Sequence, residues 1–227
     1  MRILAIDTAL GLCSAAVMDV TAARIIARES LPMERGHAEA LMPLVERVMA
    51  QVEGGFSSLD RVVTTVGPGS FTGLRVGLSA ARAIGLAADI PVVGVTTLSA
   101  FAGPYLDHES THAFASVIDA RHAHVYMQIV RGDGRFLSTP RIIPLADAAS
   151  AIAFAKARII GSAASLLVEA VKARGFEPEP VTDEIGPDIE WVARLGAFAN
   201  PEDARPIPLY LRPPDATPQT NGRVALR

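Results

Sequence analysis

The chain has 227 residues, half of them hydrophobic, with 21 Lys and Arg against 24 Asp and Glu and a net charge of -3. That is enough chain for a full buried core, and the mildly acidic balance argues against a general nucleic-acid surface, which needs clustered Lys and Arg. A single cysteine, Cys13, excludes an intramolecular disulfide and any multi-cysteine metal cluster, and suits a reducing cytoplasm.

Residues 2–7 read as an apolar strand ending at Asp7, too short for a signal core, so no leader is expected; no apolar run reaches membrane length either. Residues 13–20 and 24–31 read as two further strands, joined by turns at Leu10-Gly11 and Thr21-Ala22-Ala23. A helix follows over 37–52, where Leu41, Leu44, Val45, Val48, Met49 and Val52 keep the helical rhythm, with Pro43 in its first turn or marking a kink. Residues 61–66 are a β-branched strand.

The stretch Gly67-Pro68-Gly69-Ser70-Phe71-Thr72-Gly73-Leu74-Arg75 is a strand end, a tight turn and a helix start. Pro68 pushes Gly67 toward extended geometry, Gly69 is free to take φ > 0, and Ser70 or Thr72 can cap the helix over 71–88. Such a turn can approach a phosphate or another backbone closely. Within the helix Gly73, Gly77, Ala81 and Gly85 recur every fourth residue. Each helical glycine costs about 1 kcal/mol relative to alanine, so the stripe needs a close neighbour, either a helix of the same chain or another subunit. Strand 92–95 and a short helix from Thr97 follow.

A second copy of this pattern starts after Gly103-Pro104 and the polar segment 107–112. Strands are expected at 113–119, 124–130 and 136–143, with Gly132-Asp133-Gly134 as a hairpin turn, then a helix over 145–156, a strand at 158–161 and a helix over 165–174. Ile118-Asp119 stands where Ile6-Asp7 stands in the first copy. The reading is therefore a lobe over 1–103, a degenerate second lobe over 104–187, a helix over 188–199 able to pack back on the first lobe, and a proline-rich tail over 200–227, disordered from 215.

Asp7 and Asp119 are the leading polar candidates, and a strand-end Asp can equally be a turn residue bonded to its own backbone. The loop Thr8-Ala9-Leu10-Gly11-Leu12-Cys13 is poor in the donors of a strong phosphate clamp. His37 has Leu41, not a second histidine, at i+4, and His108 and His112 fall in a polar loop. No Gly-x-Ser-x-Gly elbow occurs, and Cys13 lies in a strand away from any histidine partner.

Ile6-Asp7-Thr8, Arg35-Gly36-His37-Ala38-Glu39-Ala40-Leu41, the Gly67 to Arg75 stretch and Gly94-Val95-Thr96-Thr97-Leu98 closely resemble the TsaB (YeaZ) family of tRNA threonylcarbamoyladenosine biosynthesis proteins; Asp119-Ala120-Arg121 and Tyr210-Leu211-Arg212 also fit it. The resemblance implies an α/β, duplicated ribonuclease-H-like, two-lobed fold of the actin, Hsp70 and sugar-kinase (ASKHA) type. In the kinases of that superfamily the two acids hold magnesium, which makes Asp7, Thr8, Gly67, Gly69 and Asp119 candidates for weak ATP or ADP binding, with no tightly bound cofactor expected. The related catalytic family TsaD carries a His-x-x-x-His metal pair after the Gly-Val strand, where this chain has Thr97 and Phe101, so no metal site is implied.

The implied function is that of a non-catalytic, cytoplasmic scaffold or activator. It would pair with a TsaD-like subunit through His37, Leu41, Val45, Gly73, Arg75, Gly77, Ala81 and Gly85, or with itself when alone. A TsaE-like ATPase would complete the assembly, and tRNA would be reached through the complex and not directly. Two alternatives stand beside it: a phosphotransferase or ATPase using Asp7 and Asp119, and a metallopeptidase-like protein.

Overall fold

Strand β1 (Arg2–Asp7) has no exposed face: Leu4 and Ile6 enter one apolar layer, and Ile3 and Ala5 another. This is the pattern of a strand inside a sheet covered on both sides. The structure, a computed structural model describing residues 1–107, 109–179 and 184–212, places it at the centre of a five-stranded sheet ordered β3-β2-β1-β4-β5. Strands β2 (Leu12–Asp19) and β3 (Arg24–Pro32) run antiparallel, while β4 (Arg61–Gly67) and β5 (Val92–Thr96) run parallel to β1. Helices α1 (His37–Met49) and α2 (Phe71–Ala88) cover one face, with Leu41, Leu44, Val45, Val48 and Ala81 against Leu4, Ile6 and Val62. Pro43 lies in the second turn of α1, on an exposed face, and the helix runs through it.

The other face carries Ala100 of α3 (Thr97–Ala102) and Ile189, Val192 and Ala193 of α6 (Ile189–Phe198). Two contacts from β4 seat α6. Gly196 leaves room for Val63, and the Arg61 guanidinium donates to the carbonyls of Gly196 (2.7 Å) and Ala199 (2.8 Å), satisfying groups that a helix end leaves orphaned.

In the second sheet, ordered β8-β7-β6-β9, strands β6 (Ala113–Arg121), β7 (His124–Arg131) and β8 (Arg141–Pro144) are antiparallel and β9 (Arg158–Ile160) is parallel to β6. Helices α4 (Leu145–Ala155) and α5 (Ala164–Lys172) cover its outer face. Its inner face packs Phe114, Ile118 and Ile160 on Leu98 and Phe101 of α3, which is thus wedged between the sheets. Both sheets share one strand order, the second without a fifth strand, which is the duplicated ribonuclease-H-like (ASKHA) arrangement of an α/β chain.

The strand expected over 136–143 is shorter and later. Phe136 makes only an isolated bridge to Val130, and the ladder resumes at Arg141, after Pro140, which has no N–H to donate. Residues 200–212 run back over the first lobe: the Gly94 amide donates to Ala204 (2.8 Å) and the Leu209 amide to Val66 (2.7 Å). His108 and the tail from residue 215 lie outside the described residues. Among the described residues no helix is long and apolar enough to cross a membrane.

Candidate functional site

The turn between β4 and α2 takes its shape from the loop after β1. Gly67 has φ +106°, so it is Gly67 and not Gly69 that uses left-handed freedom. Gly69 is required for proximity: a Cβ there would enter the Ala9 carbonyl, and the neighbouring Ser70 amide donates to that oxygen at 2.7 Å. Ser70 also caps α2, accepting from the Gly73 amide at 3.2 Å.

The glycine stripe continues the same contact. A Cβ on Gly73 would enter the Thr8 carbonyl, one on Gly77 would lie 2.5 Å from Thr8 Oγ1, and one on Gly85 would strike the Val92 side chain. Thr8 Oγ1 donates to the Gly73 carbonyl at 2.7 Å. The close neighbour of these three glycines is therefore this chain's own β1–β2 loop and β5. One expectation is corrected by this: the stripe packs inside the chain and not on a partner. Gly67 and Gly69 serve backbone packing; Gly73, Gly77, Ala81 and Gly85, together with Leu41 and Val45 of α1, lie buried in the first lobe and present no side chain to a partner. His37 is also nearly buried, its Nε2 3.1 Å from the Leu10 carbonyl. Of that set Arg75 alone is exposed, its guanidinium 3.7 Å above the Phe71 ring and its Nε 3.4 Å from the Tyr210 hydroxyl.

Asp7 has no solvent access. Its Oδ1 accepts from the Thr65 hydroxyl (2.6 Å) and the Ala9 amide (3.1 Å), while Oδ2 is buried without a partner. Burial pushes its carboxyl up to about 6, against the lowering pull of Thr65, Ala9 and nearby His37. Burial, and the charge of Asp7, push the Cys13 thiol up to about 11, which leaves it inert. A sealed carboxyl, with Thr8 buried beside it, does not fit a magnesium–nucleotide ligand.

Asp119 makes the same local turn, accepting from the Arg121 amide at 2.8 Å as Asp7 accepts from Ala9, so the duplication repeats the Asx turn as well as the strand. Its surroundings differ. Asp119 lines a cleft of about 1070 Å³ between the lobes, walled by Leu10, Gly11 and the 32–35 turn on one side and by Ile118 to Arg121, Tyr126 and Ser162 on the other, with Ser70 and Arg212 at its edge. Arg121, His122 and Ala123 all have positive φ, three consecutive left-handed residues without a glycine. Arg212 reaches across from the first lobe to donate to the Ala120 carbonyl at 2.9 Å. The cleft thus brings together Gly69 and Asp119 of the candidates and leaves Asp7, Thr8 and Gly67 beneath it. Arg35, Ser70 and Arg212 are the lining residues that their isolated sequence positions did not mark as neighbours.

Thr97 and Phe101 are fully buried, Phe101 in the apolar wedge between the sheets and the Thr97 hydroxyl without a partner. Among the described residues no group of three or more His, Cys, Asp or Glu converges on a metal-sized site.

Residues 27–179 match the family model described as TsaD, tRNA N6-adenosine threonylcarbamoyltransferase. The tRNA threonylcarbamoyladenosine biosynthesis protein TsaB of Escherichia coli is 35% identical over 127 residues, covering 56% of this chain and 53% of that protein, so the match spans about half of this curated relative. An uncharacterized protein of Mycobacterium tuberculosis is 34% identical over 216 residues, 95% of this chain and 94% of its own length. A crystal structure of an uncharacterized protein with similarity to peptidase YEAZ from Pseudomonas aeruginosa superposes with a TM-score of 0.75 at 24% identity, over 93% of this chain and 99% of that one, a likeness of fold.

Proposed function

The chain belongs to the tRNA N6-adenosine threonylcarbamoyltransferase family, in its TsaB/YeaZ branch, and from that premise we propose that it is a non-catalytic subunit in making threonylcarbamoyladenosine on tRNA, pairing with a TsaD-like transferase. The observation that carries this reading is the burial of the groups that chemistry would need. Asp7 is sealed under the β1–β2 loop, and Thr97 and Phe101, in place of the transferase's histidine pair, are packed in the core. A TsaE-like ATPase would act on the paired assembly, in the cytoplasm.

The partner face of this reading is the outer side of α1 and α2, where Met42 and Leu86 stand exposed. Their inner sides hold the lobe together, so a change on the outer side can be read as pairing alone. In co-purification with a TsaD-type transferase, Met42→Glu combined with Leu86→Glu is expected to weaken pairing by at least tenfold, about 1.4 kcal/mol, with an unchanged melting temperature. Wild-type chain that fails to co-purify with the transferase would refute the subunit reading.

A further inference from the structure

We propose that the interlobe cleft seats a phosphodiester of RNA, held by Arg35, Arg121 and Arg212. The proposal rests on the tRNA-modification reading above and adds to it a direct contact between this chain and the RNA. Composition spoke against such a contact, since the chain as a whole is acidic and its arginines are scattered. Folding gathers three of them at one opening: Arg35 from the turn between β3 and α1, Arg121 from the turn between β6 and β7, and Arg212 from the segment that crosses back over the first lobe.

The seat has features of a built clamp. Arg121 stands at the base of a two-residue hairpin turn, paired with His124, and the positive φ of His122 and Ala123, 51° and 57°, is the geometry such a turn requires, which fixes Arg121 at the cleft wall. Asp119 holds the turn from within, accepting from the Arg121 amide and pairing with its guanidinium at 3.3 Å, and Arg212 is aimed by its bond to Ala120. Ser70 accepts from Gly73, which leaves its own hydroxyl proton to donate toward the cleft.

Charge selects the ligand. Among the described lining residues three arginines stand with two carboxylates, Glu34 and Asp119, one net positive charge. That complements the single negative charge of a phosphodiester and falls well short of a nucleoside triphosphate, whose usual metal partner would need the sealed Asp7. Close in the chain to the lining residues Ser70 and Arg212, Phe71 and Tyr210 lie with ring centroids 5.3 Å apart and nearly half exposed, one face of Phe71 covered by the Arg75 guanidinium, and their open surface is one on which an unpaired base can stack.

The test is fluorescence anisotropy of an unmodified tRNA transcript with the full chain at about 50 mM salt, where phosphate contacts are strongest. The wild-type chain is expected to bind, and Arg35→Ala combined with Arg121→Ala to weaken binding on the order of tenfold or more, reducing the slope of log K against log salt by about one to two. Tyr210→Ala is expected to weaken binding with that slope unchanged, and all variants to melt as the wild type does. No wild-type binding at about 100 µM protein, or equal binding by the double arginine variant, overturns the proposal. So does a parallel titration in which the double variant loses ATP and keeps RNA, since the seat would then serve a free nucleotide. Pairing with the transferase is read separately: a chain that pairs but does not hold RNA refutes only the phosphate seat, and one that holds RNA but pairs with nothing refutes only the subunit reading.

Discussion

Gly77→Leu is expected to destabilise the fold by roughly 3–5 kcal/mol, lowering the melting temperature by roughly 10 °C or more, as measured by thermal unfolding. Even a Cβ at this position would lie 2.5 Å from Thr8 Oγ1 and 3.4 Å from Thr64 Oγ1, both buried, and leucine adds three more carbons. To admit them α2 must lift from the β1–β2 loop, which breaks the buried Thr8–Gly73 bond and the Ser70–Ala9 bond, each contributing on the order of 1 kcal/mol. Ala83→Leu, on the exposed side of the same helix, is the control and should shift stability by no more than about 0.5 kcal/mol. Any loss of partner binding in Gly77→Leu then follows from unfolding and says nothing of an interface. A variant as stable as the wild type would mean that α2 does not rest on Thr8.

Asp7→Asn is expected to gain stability relative to the wild type as pH rises. The wild-type carboxyl titrates at about 6 when folded, against 3.8 as its ordinary value. Because its folded value is raised, the folded state holds the proton more tightly than the unfolded chain, and stability is lost as pH climbs from about 4 to about 6, then levels off. Two pKa units correspond to about 3 kcal/mol. Asparagine keeps an oxygen for the Thr65 hydroxyl and the Ala9 amide and carries no charge to bury. Denaturant unfolding at pH 4 and at pH 7.5 should therefore show the difference between variant and wild type moving by about 3 kcal/mol in favour of asparagine. A difference that stays constant would mean that Asp7 meets solvent or a cation in the folded chain.

Whatever rests on neighbours within a few residues can be read from the amino-acid order alone. Strand β1 is apolar at every position from Ile3 to Ile6, and α2 begins just after a serine that caps it; its limits, Phe71 and Ala88, are legible because capping and helical rhythm act over three or four residues. The repetition of three strands and a helix, and the pairing of Asp7 with Asp119 as equivalent positions, were legible for the same reason. Even the Asx turn at both acids is local chemistry. The partner of each group was not legible, since it lies far along the chain. The glycine stripe announces that something is close but not what, and Thr8, which answers it, is 65 residues from Gly73. Arg61 finds the end of α6 more than a hundred residues downstream. Tertiary structure also separates the roles of Gly67 and Gly69: Gly67 takes the positive φ, and Gly69 must lack a Cβ because the Ala9 carbonyl lies against it. The same holds for charge: Arg35, Arg121 and Arg212 are solitary in sequence, and only two lobes folded against each other bring them to one cleft. Burial decides chemistry in a way no local pattern records, since one strand-end aspartate is sealed and its counterpart is open although their flanking residues read alike.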